Sequence, residues 1–300
     1  MPCIRNIIYK MNQIYLKRLQ DATLADDYMF GQVMSREAIA AAFLTALLQK
    51  PIRKISRISR QSDFTDSFFA HGVRLDVYLN DENGTHYDIE MQTTNQKDIE
   101  KRIRYYQSTI DREVLGKGIP YSDISESYII FLCSFDYYGQ GEPVYERQSF
   151  IKGYPEILYL DGTHALILNA KYRPDRRDHN NQPLMEFLNY LRDEHSPFES
   201  QLVQAVSAAV QEVRNDEKKG VEYMTIQQKL LDEKNLSFQE GEAAGLQKGL
   251  QQGLQKGLQK GEARFSALIQ KMLKDNLSSE IPRVTEDSEF RNAMYQKYNL

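Results

Sequence analysis

The chain has few cysteines: Cys3 and Cys133 are its only two, and they lie far apart. This excludes a disulfide framework and a cysteine-rich zinc site, and it is typical of a reducing cytosol. The five histidines show no metal-ligand spacing. No long apolar run occurs, so neither a signal peptide nor a membrane span is expected. We therefore expect a cytoplasmic protein that does not bind membranes.

Positive charge is not in excess either. Lysine and arginine number 38 against 42 aspartates and glutamates, which gives a net charge of −4. Any surface that binds nucleic acid must therefore be local. Apolar residues make up 41% of the chain and charged residues 27%, as is typical of a globular domain. The length allows one large domain with appendages.

The stretch 72–92, GVRLDVYLNDENGTHYDIEMQ, predicts a β-hairpin. Its two halves alternate apolar and polar residues with the period of a strand. The DENG segment between them, 81–84, consists of typical turn residues. A three-residue loop, 82–84, would place Gly84 in the left-handed conformation that such loops need. A two-residue Asn83-Gly84 turn is the alternative, and it would shift the register by one residue.

The three-residue loop predicts which side chains face each other. Asp76 lies directly opposite Glu90, with Cβ atoms ~5 Å apart, and Arg74 lies opposite Gln92. Two carboxylates this close repel each other unless a cation lies between them or one of them is protonated. Oxygen ligands without His or Cys suit Mg²⁺ or Mn²⁺. The alternative is an ordinary hairpin face with solvated charges.

Helical patterns flank the hairpin on both sides. Before it, Asp26 and Asp27 lie in the first turn of a predicted helix. They either interact favourably with the helix dipole or supply a third acidic ligand. After it, a helix over 99–115 has a buried apolar stripe and a neighbouring basic stripe that includes Lys101 and Arg104. That stripe either lies near the two acids or is an ordinary solvated face.

The remaining pattern indicates a mixed α/β core followed by a repeat. Residues 128–133 (YIIFLC) read as a buried strand, 144–170 as further strands, and 183–193 and 199–229 as helices. Glycine then recurs every four residues from Gly241 to Gly261, with leucine at the same period. Each glycine in a helix costs ~1 kcal/mol relative to alanine. A self-associating helix and a flexible linker both explain such a repeat.

Several stretches, in order, resemble the Rpn (recombination-promoting nuclease) family of bacteria, also described as PD-(D/E)xK nuclease family transposases. They are DDYMFGQVM, GVRLDVYLNDENG, YDIEMQ, KRIRYYQSTIDREVLGKGIPYSDI, YIIFLCSFDYYG and the glycine repeat. The resemblance covers about residues 21–265. It implies a restriction-endonuclease-like α/β fold, with a mixed central sheet flanked by helices. It also implies a metal-dependent DNA endonuclease that uses Mg²⁺, with Mn²⁺ possible.

The resemblance also implies roles for particular residues. Asp76 and Glu90 would be metal ligands, and the backbone carbonyl of Met91 would complete the coordination sphere. Asp27 would be the acid delivered by the helix, with Asp26 as its rival.

Gln92 stands where the superfamily has a lysine, and it carries no charge. The cation of the site is therefore unassigned, and Lys101, Arg104 and Arg74 are the candidates for it.

We expect four segments: an N-terminal extension (1–20), the nuclease-like domain (21–235), a helical glycine repeat (236–265) and a short helical tail (266–300). The expected partners are DNA and further copies of the chain, bound through the repeat. The alternative function is a catalytically inactive DNA-binding or assembly protein on the same fold.

Overall fold

The computed structural model of the chain describes residues 18–64, 73–115 and 120–300. The predicted N-terminal extension therefore lies almost wholly outside the described residues. The chain divides into two compact units, residues 1–227 and 228–300. In the described part, no helix combines the length and the apolar character that crossing a membrane requires.

The described residues form helices and strands in the following chain order: α1 (Asp27–Met34), α2 (Glu37–Leu48), β1 (Ile55–Phe64), β2 (Val73–Asp81), β3 (His86–Gln92), α3 (Ile99–Val114), β4 (Ser127–Cys133), β5 (Val144–Glu146), β6 (Phe150–Ile151), β7 (Tyr154–Leu158), β8 (Thr163–Asn169), α4 (Gln182–Arg192), α5 (Gln201–Asn215), α6 (Glu217–Lys274), α7 (Ile281–Glu286) and α8 (Ser288–Lys297).

A six-stranded sheet in the order β1-β2-β3-β4-β8-β5 forms the centre of the first unit. β1, β2 and β3 are antiparallel neighbours, β3, β4 and β8 are parallel, and β5 is antiparallel to β8 at the edge. β6 and β7 form a separate two-stranded sheet. Every residue of β4 is buried, as expected of a central parallel strand. The mixed sheet with its helices confirms the predicted α/β class.

Among the described residues of the first unit, apolar side chains pack into two clusters. One cluster joins α1, α2, α4 and α5 to Tyr87, Ile89 and Met91 of β3. The other joins the buried stripe of α3 to apolar residues of β2, β4 and β8, among them Phe131. Successive side chains of a strand point to opposite faces. The polar residues of β3 therefore face α3.

The hairpin has the predicted register. Its ladder runs from Val77, opposite Ile89, to a loop closed by Asp81, whose N–H donates to the Thr85 carbonyl at 3.1 Å. Gly84 has a φ of 81°, the left-handed conformation that the three-residue loop requires. Continued by one residue beyond its last pair, the same register sets the two predicted acids opposite each other. The two-residue turn is excluded.

The predicted helix over 199–229 is in fact two helices, α5 and α6. Asp216 between them has extended backbone, with φ −84° and ψ 111°. Its side chain accepts hydrogen bonds from the N–H groups of Lys218 and Lys219, at 2.9 and 3.1 Å. An aspartate in this position caps the start of a new helix.

The second unit has a small core of its own, formed by Leu268, Met272, Val284, Met294 and Tyr295. The glycine repeat lies within α6. The four leucines of the repeat are all exposed. A Cβ built on any of its six glycines would meet nothing within 4 Å, so both the glycines and the leucines present open surface.

Candidate active site

Two acids lie where the backbone ladder between β2 and β3 ends. Beyond the pair of Val77 and Ile89, the two strands are joined by hydrogen bonds between main-chain N–H groups and side-chain carboxylates instead of by backbone–backbone bonds. The N–H of Asp76 donates to Oε1 of Glu90 at 2.9 Å, and the N–H of Met91 donates to Oδ2 of Asp76 at 3.1 Å. Each carboxylate is thus held by a main-chain donor, which fixes both acids at this end of the hairpin.

The carbonyl of Met91 lies on the edge of β3 that faces β2, the strand that carries Asp76. On the other side, the Gln92 carbonyl accepts a hydrogen bond from the N–H of Ser134 at 3.1 Å, next to β4. Main-chain groups of successive strand residues point alternately to the two neighbouring strands. The Met91 carbonyl therefore points towards β2, where the ladder has ended.

Two acids of β3 are buried: Glu90 is 2% exposed and Asp88 is 0% exposed. This excludes the solvated-face alternative for both. Burial, followed by the charge of Asp76, raises the pKa of Glu90 to about 8. Burial and the charge of Glu90 raise the pKa of Asp88 well above its usual value. Among the described residues, neither oxygen of Asp88 has a hydrogen bond of normal geometry, so the protein alone stabilises the ionised forms of these two acids poorly.

Arg102 of α3 brings a positive charge to this site. Its guanidinium lies 3.0 Å from Oε2 of Glu90 and donates a hydrogen bond to Oε1 of Gln92 at 2.5 Å. It also donates to the hydroxyl of Tyr106 at 2.8 Å. The guanidinium lies 5.3 Å from the ring centre of Tyr106 and 4.9 Å from that of Phe131. These contacts hold one cation against both the second acid and the glutamine.

The sequence reasoning missed Arg102. Lys101 and Arg104 are exposed, and within the described part of the chain neither pairs with the acids or with the glutamine. The side chain of Arg74 lies outside the described residues. Arg102 follows Ile99 by three residues and precedes Tyr106 by four. That helical spacing places it beside the buried stripe, and this is the signal that identifies it.

Asp26 and Asp27 lie at the start of α1, on the helix that packs into the other cluster. Asp26 is the N-cap, and its side chain accepts hydrogen bonds from two N–H groups of the first turn. Its second oxygen accepts a hydrogen bond from the Tyr223 hydroxyl at 2.9 Å. Asp27 is exposed, and in the part of the chain that the structure describes no contact joins it to the two opposed acids. A ligand role for Asp27 stays a prediction.

Comparison with known proteins identifies the family. A model of the PD-(D/E)XK nuclease family transposases matches residues 24–238, which is more than half of the chain. The chain belongs to this family. Its matched part contains the eight strands of the described residues and the helices α1 to α5, and so it includes the opposed acids and Arg102. No curated protein and no solved structure matches the chain.

The donor set of this PD-(D/E)XK family member fits a small divalent cation. Asp76, Glu90 and the Met91 carbonyl are all oxygen donors, and Mg²⁺ is commonly held by one or two carboxylates while it keeps several waters. Among the described residues, no three His, Cys, Asp or Glu side chains are placed to hold one metal ion. Water or substrate oxygens would therefore complete the coordination sphere.

Proposed function

We propose that the protein is a metal-dependent endonuclease that hydrolyses phosphodiester bonds of DNA. The main support is the pair of acids at the end of the β2–β3 ladder, Asp76 and Glu90, each held by a main-chain N–H. Opposed carboxylates are costly unless a cation binds between them or one of them is protonated. The family supports a nuclease in general, and the DNA substrate and the endonuclease activity are our proposal.

Asp76 and Glu90 would hold Mg²⁺ together with the carbonyl of Met91, and Mn²⁺ would suit the same donors. When bound, the ion supplies an activated water at neutral pH and neutralises charge at the phosphate. Asp27, with Asp26 as its rival, is our proposed additional acidic ligand, which α1 would have to bring closer to the two acids than the described structure places it. The N-cap hydrogen bonds of Asp26 make it the weaker of the two.

Arg102 would supply the positive charge that the family's lysine position lacks in this chain. Gln92 is fixed at both ends, because its Oε1 accepts from Arg102 and its Nε2 donates to the Thr94 carbonyl at 2.6 Å. We propose that Gln92 orients a water while the guanidinium stabilises negative charge that develops at the phosphate. Both groups act beside Glu90.

The test is cleavage of plasmid and linear DNA across a series of metals. Asp76→Ala and Glu90→Ala should each abolish Mg²⁺-dependent cleavage. Glu82→Ala removes an exposed acid of the same hairpin, and it should cut like the wild type. If both variants, or the wild type in excess EDTA, cut DNA as well as the wild type with Mg²⁺, the assignment of the site is wrong.

The second candidate is a catalytically inactive DNA-binding or assembly protein. The uncharged Gln92 at the lysine position favours it. Isothermal titration with Mg²⁺ separates the two candidates, because the nuclease must bind the ion through Asp76 and Glu90. An absence of heat, with and without DNA, would favour the inactive protein.

We further propose that the protein works in the bacterial cytoplasm, in recombination or in the movement of genetic elements, and that the glycine repeat of α6 joins copies of the chain. The open glycines and exposed leucines support self-association through the repeat. Glycines allow the backbones of two helices to approach closely, and leucines add contact area. Deletion of 241–300 should lower the number of chains per particle, as calculated from the mass measured by light scattering.

A further inference from the structure

The small sheet of β6 and β7, with the two residues that follow it, exposes large apolar side chains on both of its faces. Every residue of both strands is exposed. None of the set belongs to the three apolar clusters. We call this surface the hairpin patch; its members are Phe150, Ile151, Tyr154, Ile157, Leu158, Tyr159 and Leu160.

The hairpin patch is larger than the chain's own folding explains. Its seven residues are on average a little over half exposed, and Leu160 is 83% exposed. A large aromatic side chain presents roughly 150–250 Å² and an aliphatic one somewhat less, so the two faces of the patch together present on the order of 700 Å². The largest apolar patch on a typical monomer is about 300–600 Å² and often marks an interaction site. An isolated two-stranded sheet is also only marginally stable.

We propose that a second copy of this chain covers the hairpin patch across a twofold axis. A stable protein interface of ordinary size buries about 800 Å² on each partner, close to the area that the two faces of the patch present together, so the second copy would cover both faces. The charges inside the patch, Lys152 and Glu156, are one of each sign and both exposed. In a twofold contact, a residue pairs with a different residue of the other copy and the reverse pair forms as well. In the proposed contact, Lys152 of each copy meets Glu156 of the other.

The same balance of charge argues against other occupants. A DNA backbone or an anionic membrane surface is recognised through an excess of lysine and arginine. The hairpin patch has no such excess. A second copy needs none, because two identical neutral apolar surfaces already match each other.

The contact packs side chains together and does not extend the sheet. Pro155 lies within β7 and has no N–H to donate to a neighbouring strand. The pairing of β6 with β7 is also irregular, with a register shift between Phe150 and Ile151. Irregular pairing and proline both hinder edge-to-edge pairing.

The test measures the mass of the full chain by sedimentation over a range of concentrations. A background variant, Leu250→Ser/Leu254→Ser, separates association through the patch from association through the glycine repeat. In that background we expect two chains per particle, and one chain after addition of Phe150→Ser/Leu160→Ser. Tyr121→Ser removes an equally exposed but solitary aromatic and should leave the mass unchanged. Circular dichroism checks that each variant is folded.

A charge exchange tests the twofold arrangement. Lys152→Glu should weaken the association, because two glutamates of each copy then face two of the other. Lys152→Glu/Glu156→Lys should restore it, because every opposite-charge pair forms again in the exchanged sense. The proposal is overturned if the background protein has the mass of one chain at every concentration, if the folded Phe150→Ser/Leu160→Ser variant keeps the mass of two, or if the exchange restores nothing.

Discussion

Removal of the Arg102 side chain should damage both folding and catalysis. The Glu90 side chain that it pairs with is 3% exposed, so Arg102→Ala leaves a buried carboxylate without its partner. Breaking a buried ion pair in this way costs ~3–5 kcal/mol. Arg102 is itself 27% exposed, so water entering its place would screen the charge, and Glu90, with a pKa of about 8, can take up a proton instead; we therefore expect a cost at or below the lower end of that range. The guanidinium also lowers the pKa of Glu90, so its loss should favour the protonated acid and weaken metal binding.

The cleavage rate of Arg102→Ala should fall by more than its loss of stability alone would cause. Removal of one donor that stabilises developing charge typically costs a factor of ~10²–10³ in rate. A lysine at the neighbouring strand position should restore part of this. In Arg102→Ala/Gln92→Lys the ammonium replaces the guanidinium beside Glu90. Coupled residues differ from additivity by ~0.5–3 kcal/mol, so the double variant should cut on the order of tenfold faster than Arg102→Ala. Gln92→Lys alone should remain active.

The assay is the initial rate of plasmid nicking at saturating Mg²⁺, with urea unfolding of each variant beside it. Lys101→Ala is the matched control, since it removes an exposed cation from the same helix and should change neither quantity. A purely structural role for Arg102 would change stability and leave no rescue by the lysine. Cleavage at the wild-type rate by Arg102→Ala, or a folded double variant no faster than the single one, would refute the reasoning.

Three further predictions concern other parts of the chain. Glu186→Ala should cost about 2–3 kcal/mol, because Glu186 accepts N–H groups from Glu199 and Ser200 at 3.0 and 2.7 Å. Burial alone would raise the pKa of Glu186, but the hydrogen bond from the Gln182 side chain at 2.6 Å, together with those from Ser200 and Glu199, lowers it. The contribution of Glu186 is therefore complete above the usual carboxyl pKa and is lost as the pH falls; urea unfolding at two pH values checks this. Gly249→Ala/Gly253→Ala should stabilise helix α6 by ~1 kcal/mol per site and so raise its helix content. It should nevertheless weaken self-association if the glycines allow close approach of two helices. Circular dichroism measures the helix content and sedimentation measures the association. Mg²⁺ should raise the melting temperature of the wild type and not that of Asp76→Ala, because only a folded chain with both acids binds the ion.

The register of the hairpin could be predicted because it depends on local chemistry. The turn residues before Gly84 favour one loop length, and that loop length sets every pair along the strands. The buried face of α3 could be predicted equally well, since Ile99, Ile103 and Ile110 recur at helical spacing, and all three are buried. In both cases, the information lies within one short run of consecutive residues.

The surroundings of the acids could not be predicted in the same way. Alternation along β3 gives Asp88 the pattern of a solvated residue, whereas α3 and its aromatic neighbours cover it. The basic stripe of α3 drew attention to Lys101 and Arg104, although a cation reaches the sheet only from the margin of the buried face. Asp27 lies on a helix whose position relative to the sheet depends on long-range packing. Such features require knowledge of which elements pack together.

Because the acids belong to the sheet and the cation to a helix, the site is complete only while α3 is docked. α3 is held by the cluster around Phe131 and by the contacts of its own arginine. Local unfolding of this one layer would leave Asp76 and Glu90 in place and would remove their positive neighbour. Substitutions such as Ile110→Ala, two turns along the helix from Arg102, would then slow cleavage by making the undocked state more populated. Amide hydrogen exchange in α3 would measure how often the site comes apart.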